Sequence, residues 1–108
     1  MHELSLACSI VEACAERAGN DRVLRVTLEV GQLAAVLPDA LRFCFDVCAQ
    51  GTVLEGATLD ILEMPGRGVC RNCGRSTAVS SPYGLCECGG VLHIVGGREL
   101  RMKEMEVA

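Results

Sequence analysis

The sequence predicts an α/β fold with a small cysteine-rich domain inserted before the last strand. Two segments place apolar residues three or four positions apart, as helices do, and other segments alternate apolar and polar residues, as half-buried strands do. The composition then changes abruptly near residue 66. We therefore expect residues 1–65 to form the first part of an α/β domain, residues 66–96 to form the insert, and residues 97–108 to return as the last strand.

Helical periodicity marks two segments. The first helix is predicted from Glu3 to Ala18, with its end at Gly19. The second is predicted to begin at Pro38, a residue type favoured in the first turn, and to stop at Gly51. The residues expected to face the core are Leu4, Ala7, Cys8, Val11, Cys14, Ala15 and Ala18 in the first helix, and Leu41, Cys44, Phe45 and Cys48 in the second.

Three further segments have the character of strands. The first ends at Gly31, and the second, residues 57–64, is closed by Pro65. In the third, residues 98–107, the apolar residues change parity: they move from even-numbered to odd-numbered positions part-way along, which predicts a β-bulge. The residues expected on the buried face of the first strand are Leu24, Val26, Leu28 and Val30; the change of parity is defined by Leu100 and Met102, then Met105 and Val107.

The overall composition disfavours several classes of protein. The chain has 108 residues, eight cysteines and a net charge of −4 at pH 7. No apolar run approaches the roughly 18–20 residues that cross a bilayer, so we expect a cytoplasmic protein with no membrane partner. The acidic charge disfavours nucleic acid as a partner. In a reducing compartment the cysteines are expected to be core residues or metal ligands; we assign Cys44 and Cys48, one helical turn apart beside Phe45, to the core.

The insert carries a metal-binding pattern. Residues 66–97 hold eight of the twelve glycines and few large apolar residues, so hydrophobic burial alone cannot fold them. Cys70 and Cys73 are separated by two residues, and the pair Cys86 and Cys88 follows after twelve more. Two such pairs at this separation are typical of tetrahedral thiolate sites. We predict that the four cysteines bind a structural zinc ion.

The second cysteine pair departs from the usual spacing, because only Glu87 separates Cys86 from Cys88. Both sulfurs can reach one ion only if Glu87 lies in a turn, which the two glycines that follow would favour. If the pair supplies a single ligand, His93 is the nearest substitute. Four cysteines, or three cysteines with His93, are thus both compatible with the sequence.

Other functions of a thiolate-rich insert are less consistent with the sequence. An iron–sulfur electron carrier stays an alternative, because tetrahedral thiolate sites take iron or zinc; a visible absorption band of the purified protein would indicate iron. Nucleic-acid binding is disfavoured by the charge of the insert. Its arginines, Arg67, Arg71 and Arg75, together with Glu87 give a net charge of +2. A Zn²⁺ ion with four thiolates contributes −2, so no basic patch remains. A thiol oxidoreductase would need its cysteine at a helix N-terminus rather than in a glycine-rich loop. Since no nucleophile, base and orienting partner can be assembled, we do not expect an enzyme.

The first three residues, Met1, His2 and Glu3, offer donors for a metal. The α-amine and the amide nitrogen of His2 close a five-membered chelate, and that amide with the imidazole closes a six-membered one. Ni²⁺ suits such a nitrogen-rich planar set. Glu3 can add its amide or a carboxylate oxygen. On these residues alone, a solvated terminal histidine is the alternative.

Several motifs, in order along the chain, resemble those of a known family. They are Met1-His2-Glu3-Leu4-Ser5-Leu6, Glu29-Val30-Gly31-Gln32-Leu33, Pro38-Asp39-Ala40-Leu41-Arg42-Phe43, Gly51-Thr52, Glu55-Gly56-Ala57 and the two cysteine pairs. In order and spacing they resemble the HypA/HybF hydrogenase maturation nickel chaperones, and the resemblance covers essentially the whole chain.

The resemblance implies a nickel domain of two helices on a three-stranded sheet, with a zinc-ribbon-like domain inserted before the last strand. It implies Ni(II) as transient cargo at Met1, His2 and Glu3, and structural Zn(II) at the cysteine pairs. It also implies two partners, a HypB-type GTPase and the large subunit of [NiFe]-hydrogenase. The alternative is a zinc-ribbon module that binds a protein or nucleic acid and has no nickel role.

Two departures from the family's pattern concern the metal sites. The second cysteine pair is one residue shorter than the family's C-x-x-C, which bears on the zinc geometry. The position before Pro38, often acidic in the family and near the nickel site, is Leu37 here. The oxygen contact from that position is therefore lost, and Asp39 is the carboxylate that could replace it.

Overall fold

The structure, a computed structural model, describes residues 3–108. These residues form two helices and two three-stranded sheets, which confirms the predicted α/β class. Neither helix in this part of the chain is long and apolar enough to cross a membrane. The elements are α1 (Glu3–Ala18), β1 (Val23–Gly31), α2 (Pro38–Ala49), β2 (Thr58–Met64), β3 (Gly66–Cys70), β4 (Ser76–Val79), β5 (Leu92–Gly96) and β6 (Leu100–Val107).

Both predicted helices are present and pack against each other. α1 has the predicted bounds, and α2 ends at Ala49, two residues before Gly51. Each buries one stripe of residues, which are Ala7, Val11, Cys14 and Ala18 in α1 and Leu41, Phe45 and Ala49 in α2. The prediction was wrong for Leu4, which is exposed, and too strong for Cys8, Ala15, Cys44 and Cys48, which are half-buried at the edges of these stripes.

β1 is the central strand of the first sheet, whose order is β2-β1-β6. Val26, Leu28 and Val30 are buried as predicted, whereas Leu24 is 42% exposed. Val23 takes the buried position instead, because its N–H donates to the carbonyl of Val53 and ties the start of the strand to the loop after α2. The alternation of apolar and polar residues along the sequence does not reveal such a long-range hydrogen bond.

β6 begins at Leu100, two residues later than predicted. The change of parity is visible in the burial of this strand. Leu100 and Met102 are half-buried on one parity and Met105 on the other, whereas Val107 is exposed.

The chain divides into two compact units. One comprises the residues up to Leu28 together with Val36–Leu62 and Arg101–Ala108; the other comprises Glu29–Ala35 and Glu63–Leu100. The whole cysteine-rich segment lies in the second unit. The first unit is stabilised by apolar burial, and its most completely buried side chains are Phe45, Leu28, Leu41, Leu54, Val23, Val26 and Cys14.

The second unit contains the sheet β4-β3-β5, in which both pairings are antiparallel. Cys70 at the end of β3 pairs with Leu92 of β5, and Val69 pairs with Ser76 of β4 and with His93 of β5. The sequence did not predict these strands, because each has only four or five residues. The core of this sheet is correspondingly small, and its buried residues are Cys70, Cys86 and Leu92, with Val79 packed against them.

Three backbone segments approach one another closely within the second unit, at Gly31, Gly66 and Gly97. We call this approach the backbone crossing. The turn after β1 bonds there to the segments before and after the insert. The N–H groups of Gly31, Gln32 and Leu33 donate to the carbonyls of Glu99, Met64 and Gly97, at 2.7, 2.8 and 2.7 Å respectively.

Glycine permits this crossing because the backbones approach too closely for side chains. A Cβ atom on Gly31 would overlap the carbonyl oxygen of Gly97, and a Cβ on Gly97 would lie 2.5 Å from the Cα of Gly66. Gly97 also has a φ of +103°, which L side chains rarely adopt.

We therefore expect Gly31→Ala to lower the free energy of unfolding by about 2–3 kcal/mol, because the added methyl group must displace the Gly97 backbone. Urea denaturation would measure this loss. Gly96→Ala is the matched control, since its Cβ would meet only the Cβ of Arg67 at 3.9 Å, and should change stability by less than about 1 kcal/mol. Equal stability of the two variants would contradict the importance of the crossing.

Candidate metal centre

The first cysteine turn leaves the end of β3 and returns to β4. It is closed by the pairing of Val69 with Ser76. Inside it, the N–H of Gly74 donates to the carbonyl of Cys70 at 2.9 Å, and the N–H of Cys70 donates to the carbonyl of Arg75 at 2.9 Å. These bonds hold the backbone between the two cysteines in a tight loop.

The second turn has the same construction with one residue fewer. It is closed by the pairing of Leu85 with Val91. The N–H of Cys86 donates to the carbonyl of Gly90 at 2.9 Å, and the N–H of Gly89 donates back to the carbonyl of Cys86 at 2.8 Å. Glu87 and Cys88 lie in the turn itself. The missing residue is thus absorbed within the turn, as the sequence required for both sulfurs to converge.

The two turns bring all four sulfurs to one point. The Sγ atoms of Cys70 and Cys88 lie 3.5 Å apart, those of Cys73 and Cys86 lie 3.6 Å apart, and all four lie within 4.8 Å of one another. In a tetrahedral site with Zn–S bonds of about 2.3 Å, the sulfurs are separated by ~3.8 Å. The spacing and the donor type therefore fit a zinc ion.

Hydrogen bonds prepare two of these sulfurs to be thiolates. The N–H of Gly90 and then the amide Nδ2 of Asn72, which lies 3.7 Å from the sulfur, lower the pKa of Cys88 to about 6. The N–H groups of Cys73 and Asn72, at 3.4 and 3.3 Å, lower the pKa of Cys70. Metal binding needs thiolates, so these donors favour the ligand form.

Cys86 differs from Cys70 and Cys88 in the direction of its pKa shift. The N–H of Cys88 lowers its pKa, but burial and the neighbouring sulfurs of Cys88, Cys73 and Cys70 outweigh this and raise it to about 11. Negative charge on one sulfur opposes ionisation of the next. A divalent cation among the sulfurs reverses this effect, because a coordinated thiol is deprotonated outright.

Gly90 is as closely fitted to the site as the cysteines are. A Cβ atom at this position would lie 2.5 Å from the Sγ of Cys70, 2.9 Å from the Cβ of Asn72 and 3.4 Å from the Sγ of Cys88. Its own N–H contacts the Cys88 sulfur. Any side chain here would push apart the two cysteine turns.

His93, the substitute ligand that the sequence allows, is not a member of the four-sulfur group. Its side chain is exposed, and its Nδ1 lies 3.3 Å from a guanidinium nitrogen of Arg71. Arginine can only donate, so Nδ1 accepts.

Asn72 is the residue of this centre that the sequence analysis missed. Its backbone N–H reaches Cys70 and its side-chain amide reaches Cys88, so it contacts one sulfur of each turn. The signal available in the sequence was an amide side chain inside the first cysteine pair.

The candidate nickel ligands Met1 and His2 lie outside the described residues. Glu3 is the first residue of α1, and its carboxylate oxygen accepts a hydrogen bond of 3.2 Å from the N–H of Leu37. Leu37 is the N-cap of α2, so the carboxylate lies at the positive end of that helix. The starts of the two helices are therefore close together.

The described geometry can be compared with known proteins. A family model described as hydrogenase/urease nickel incorporation, metallochaperone HypA matches residues 1–107. The chain belongs to the HypA family. This confirms the resemblance drawn from the motifs and makes the chain a member of the metallochaperones that incorporate nickel during hydrogenase maturation.

Individual members of the HypA family are similar over nearly the whole chain. The hydrogenase maturation factor HypA of Nostoc punctiforme is 53% identical over 108 residues, covering 99% of this chain and 96% of the relative. That of Geobacter metallireducens is 50% identical over 109 residues, covering 99% of both chains.

Solved structures of the HypA family have the same fold. The solution structure of the Ni metallochaperone HypA from Helicobacter pylori matches with a TM-score of 0.68 and 24% identity, over 99% of this chain and 97% of that one. A second solution structure of a HypA protein matches with a TM-score of 0.72 and 26% identity, over 100% and 97%.

We predict that Gly90→Ala lowers the affinity for zinc by about 10- to 100-fold, because the added Cβ collides with the Cys70 sulfur. Competition with a chromophoric zinc chelator would measure it. Gly84→Ala is the matched control, since its Cβ would meet the nearest atom at 3.5 Å, an ordinary contact. His93→Ala should likewise retain zinc. Loss of zinc from the His93 variant, with retention in the Gly90 variant, would refute this geometry.

Proposed function

We propose that this protein is a nickel metallochaperone that binds Ni(II) at its N-terminus and carries a structural zinc in the cysteine-rich unit. With a GTPase partner, it delivers the nickel to the large subunit of [NiFe]-hydrogenase. The observation that supports this most is membership of the HypA family over residues 1–107, a match that includes Met1 and His2. The same membership favours this function over a zinc-ribbon module without a nickel role.

The proposed nickel site uses the Met1 α-amine, the amide nitrogen and the imidazole of His2, and Glu3. Nitrogen donors in a planar array are the set that Ni(II) prefers among the common divalent ions. The nickel ion is cargo, so its donors need to release it as well as bind it. Donors that compete with protons near neutral pH meet this need.

Glu3 is proposed to position the nickel donors in addition to supplying one. Its carboxylate is bonded to the N–H of Leu37, which fixes the start of α1 beside the start of α2. The donors of residues 1 and 2 directly precede this anchored residue. Leu37 cannot supply the oxygen that the family often has there, and Asp39 has a fully exposed side chain 3.6 Å from the guanidinium of Arg42. We propose that Asp39 is not a nickel ligand in the resting state.

The zinc ion is proposed to be structural, with Cys70, Cys73, Cys86 and Cys88 as its ligands. A structural site is closed by four protein donors, and four sulfurs within 4.8 Å support that assignment. The apolar core of this unit is small, so the metal would supply much of its folding free energy. On these grounds we propose residues 66–96 as the zinc domain and residues 1–65 with 97–108 as the nickel domain.

Chelation of zinc should then unfold residues 66–96 and leave the α/β part largely folded, because the α/β part has its own apolar core. Amide hydrogen exchange before and after chelation would measure this by segment. α1 and α2 serve as internal controls and should keep their protection. Equal loss of protection in both parts would show that the proposed boundary is wrong.

The nickel prediction rests on the free α-amine, which a site built only from side chains would not need. Extending the chain before Met1 converts the amine to an amide and removes the five-membered chelate, although the imidazole remains. Isothermal titration should show nickel affinity reduced by about tenfold or more in both the extended form and His2→Ala, with zinc content unchanged. Binding should also weaken as pH falls from about 8 to about 6, where the amine and the imidazole take up protons.

Full-strength, stoichiometric nickel binding by the extended protein would place the site elsewhere. Glu3→Gln is an informative companion variant, because its amide keeps an oxygen for the Leu37 N–H but loses the charge. If Glu3 mainly positions the donors, this variant should bind nickel more tightly than His2→Ala does.

A further inference from the structure

An open cleft lies along β5 in the second unit, outside the cysteine centre. Its volume is about 500 Å³, and the described residues that line it all belong to that unit. They are of two kinds: Pro82, Val91, Leu92 and Ile94 are apolar, and Arg71, His93 and Arg98 are basic. The proposed zinc and nickel ligands are not among them, so the cleft is a feature that the proposed function leaves unused.

β5 presents an unpaired strand edge at this cleft. In the order β4-β3-β5 it has β3 on one side. On the other side Val91, directly before the strand, pairs with Leu85 of the second cysteine turn. Within residues 3–108, no further strand pairs with the rest of that edge, residues 93–96. An exposed edge of this kind can accept an extended peptide through main-chain hydrogen bonds.

The charge of the cleft is opposite to that of the chain as a whole, which is −4. Arg71 and Arg98 are exposed, and within the described part of the chain neither is paired with a carboxylate. The Nδ1 of His93 accepts from the guanidinium of Arg71 at 3.3 Å, which holds this cation beside β5. Two cations without carboxylate partners in an acidic protein favour a negatively charged ligand.

Apolar side chains beside these cations set a second requirement for the ligand. Val91 is 62% exposed and Val95 is 56% exposed. They alternate with Leu92 and Ile94, so they lie on the same face of the sheet as His93. A small anion would leave both valines in water. A peptide that carries acidic and apolar side chains can bind the cations and cover the valines together.

We propose that the cleft along β5 binds an extended acidic segment of a partner protein by strand addition. The main chain of the segment pairs with the edge of β5 over residues 93–96. Its carboxylates bind Arg71 and Arg98. Its apolar side chains cover Val91 and Val95.

A nucleic acid fits the cleft less well than an acidic peptide does. Two arginines neutralise few phosphates. The described residues that line the cleft include no tyrosine or phenylalanine on which a base could stack. The valines would also remain uncovered by a phosphate backbone.

Fluorescence anisotropy with zinc-loaded, full-length protein would test this, using a fluorescein-labelled peptide in which glutamate alternates with valine. The wild type should bind it about tenfold more tightly than a peptide in which glutamine replaces glutamate. Arg98→Glu should weaken binding by about tenfold, because repulsion replaces attraction. Arg67→Glu is the matched control and should bind as the wild type does. It makes the same change of charge in the same unit, but its guanidinium donates to Ser76 of β4, on the far side of β3 from β5.

Two further measurements separate a lost cleft from a lost fold. Arg98→Glu should retain as much zinc as the wild type. In the wild type, added peptide should shift the amide NMR signals of Arg71 and residues 93–96 most. His2→Ala should bind the peptide normally, so failure of the nickel site and failure of this cleft give different results.

Three outcomes would overturn the proposal. The first is absence of binding by the acidic peptide, and the second is equal binding by the Arg98 and Arg67 variants. The third is tighter binding of a single-stranded oligonucleotide than of the peptide, with the same dependence on Arg98, which would make the cleft a nucleic-acid site.

Discussion

The convergence of four cysteine sulfurs is the constraint on which the second unit depends. The strands of its sheet β4-β3-β5 are short, and the core of that sheet contains one large buried apolar side chain, Leu92, beside two of the cysteines themselves. Hydrophobic burial of that size cannot offset the conformational entropy of ordering the insert, residues 66–96. Hydrogen bonds to sulfur favour thiolates at Cys70 and Cys88, and clustered thiolates repel one another unless a cation lies between them. Zinc would supply the attraction that this unit otherwise lacks.

The shortened second turn shows how such a site tolerates a departure in sequence. Its closing hydrogen bonds join Cys86 to Gly89 and Gly90, whereas those of the first turn join Cys70 to Gly74 and Arg75. Each turn therefore keeps both bonds, and the loop between them is one residue tighter. The requirement then shifts to Gly90, whose missing side chain leaves space for the Cys70 sulfur. A metal site constrains where the donor atoms lie more strongly than how many residues separate them.

The sequence predicted the parts of this fold that rest on periodic burial. α1 and α2 are long enough for their apolar stripes to be distinctive, and the sequence of β1 alternates apolar and polar residues from Val26 to Val30, although the polar Thr27 is buried as well. The sequence-based predictions failed where a contact between distant segments overrides the local pattern of apolar residues. Leu24 loses its buried position because Val23 is tied to Val53, and the crossing of Gly31 with Gly97 depends on segments about 65 residues apart. The four cysteines could be paired from spacing, whereas the bridging role of Asn72 required the folded turns.

The two proposed metals call for opposite properties in their donors. The cysteine centre has four donors of high affinity, two of them buried, with N–H groups already directed at the sulfurs. The proposed nickel donors are an amine and an imidazole, whose ordinary pKa values of about 7.7–8.0 and 6.5 make protons effective competitors at neutral pH. Glu3 is the one proposed nickel donor among the described residues, and its carboxylate is bonded to the N–H of Leu37 at the start of α2. Donors from which protons can displace the ion suit a metal that has to be handed on.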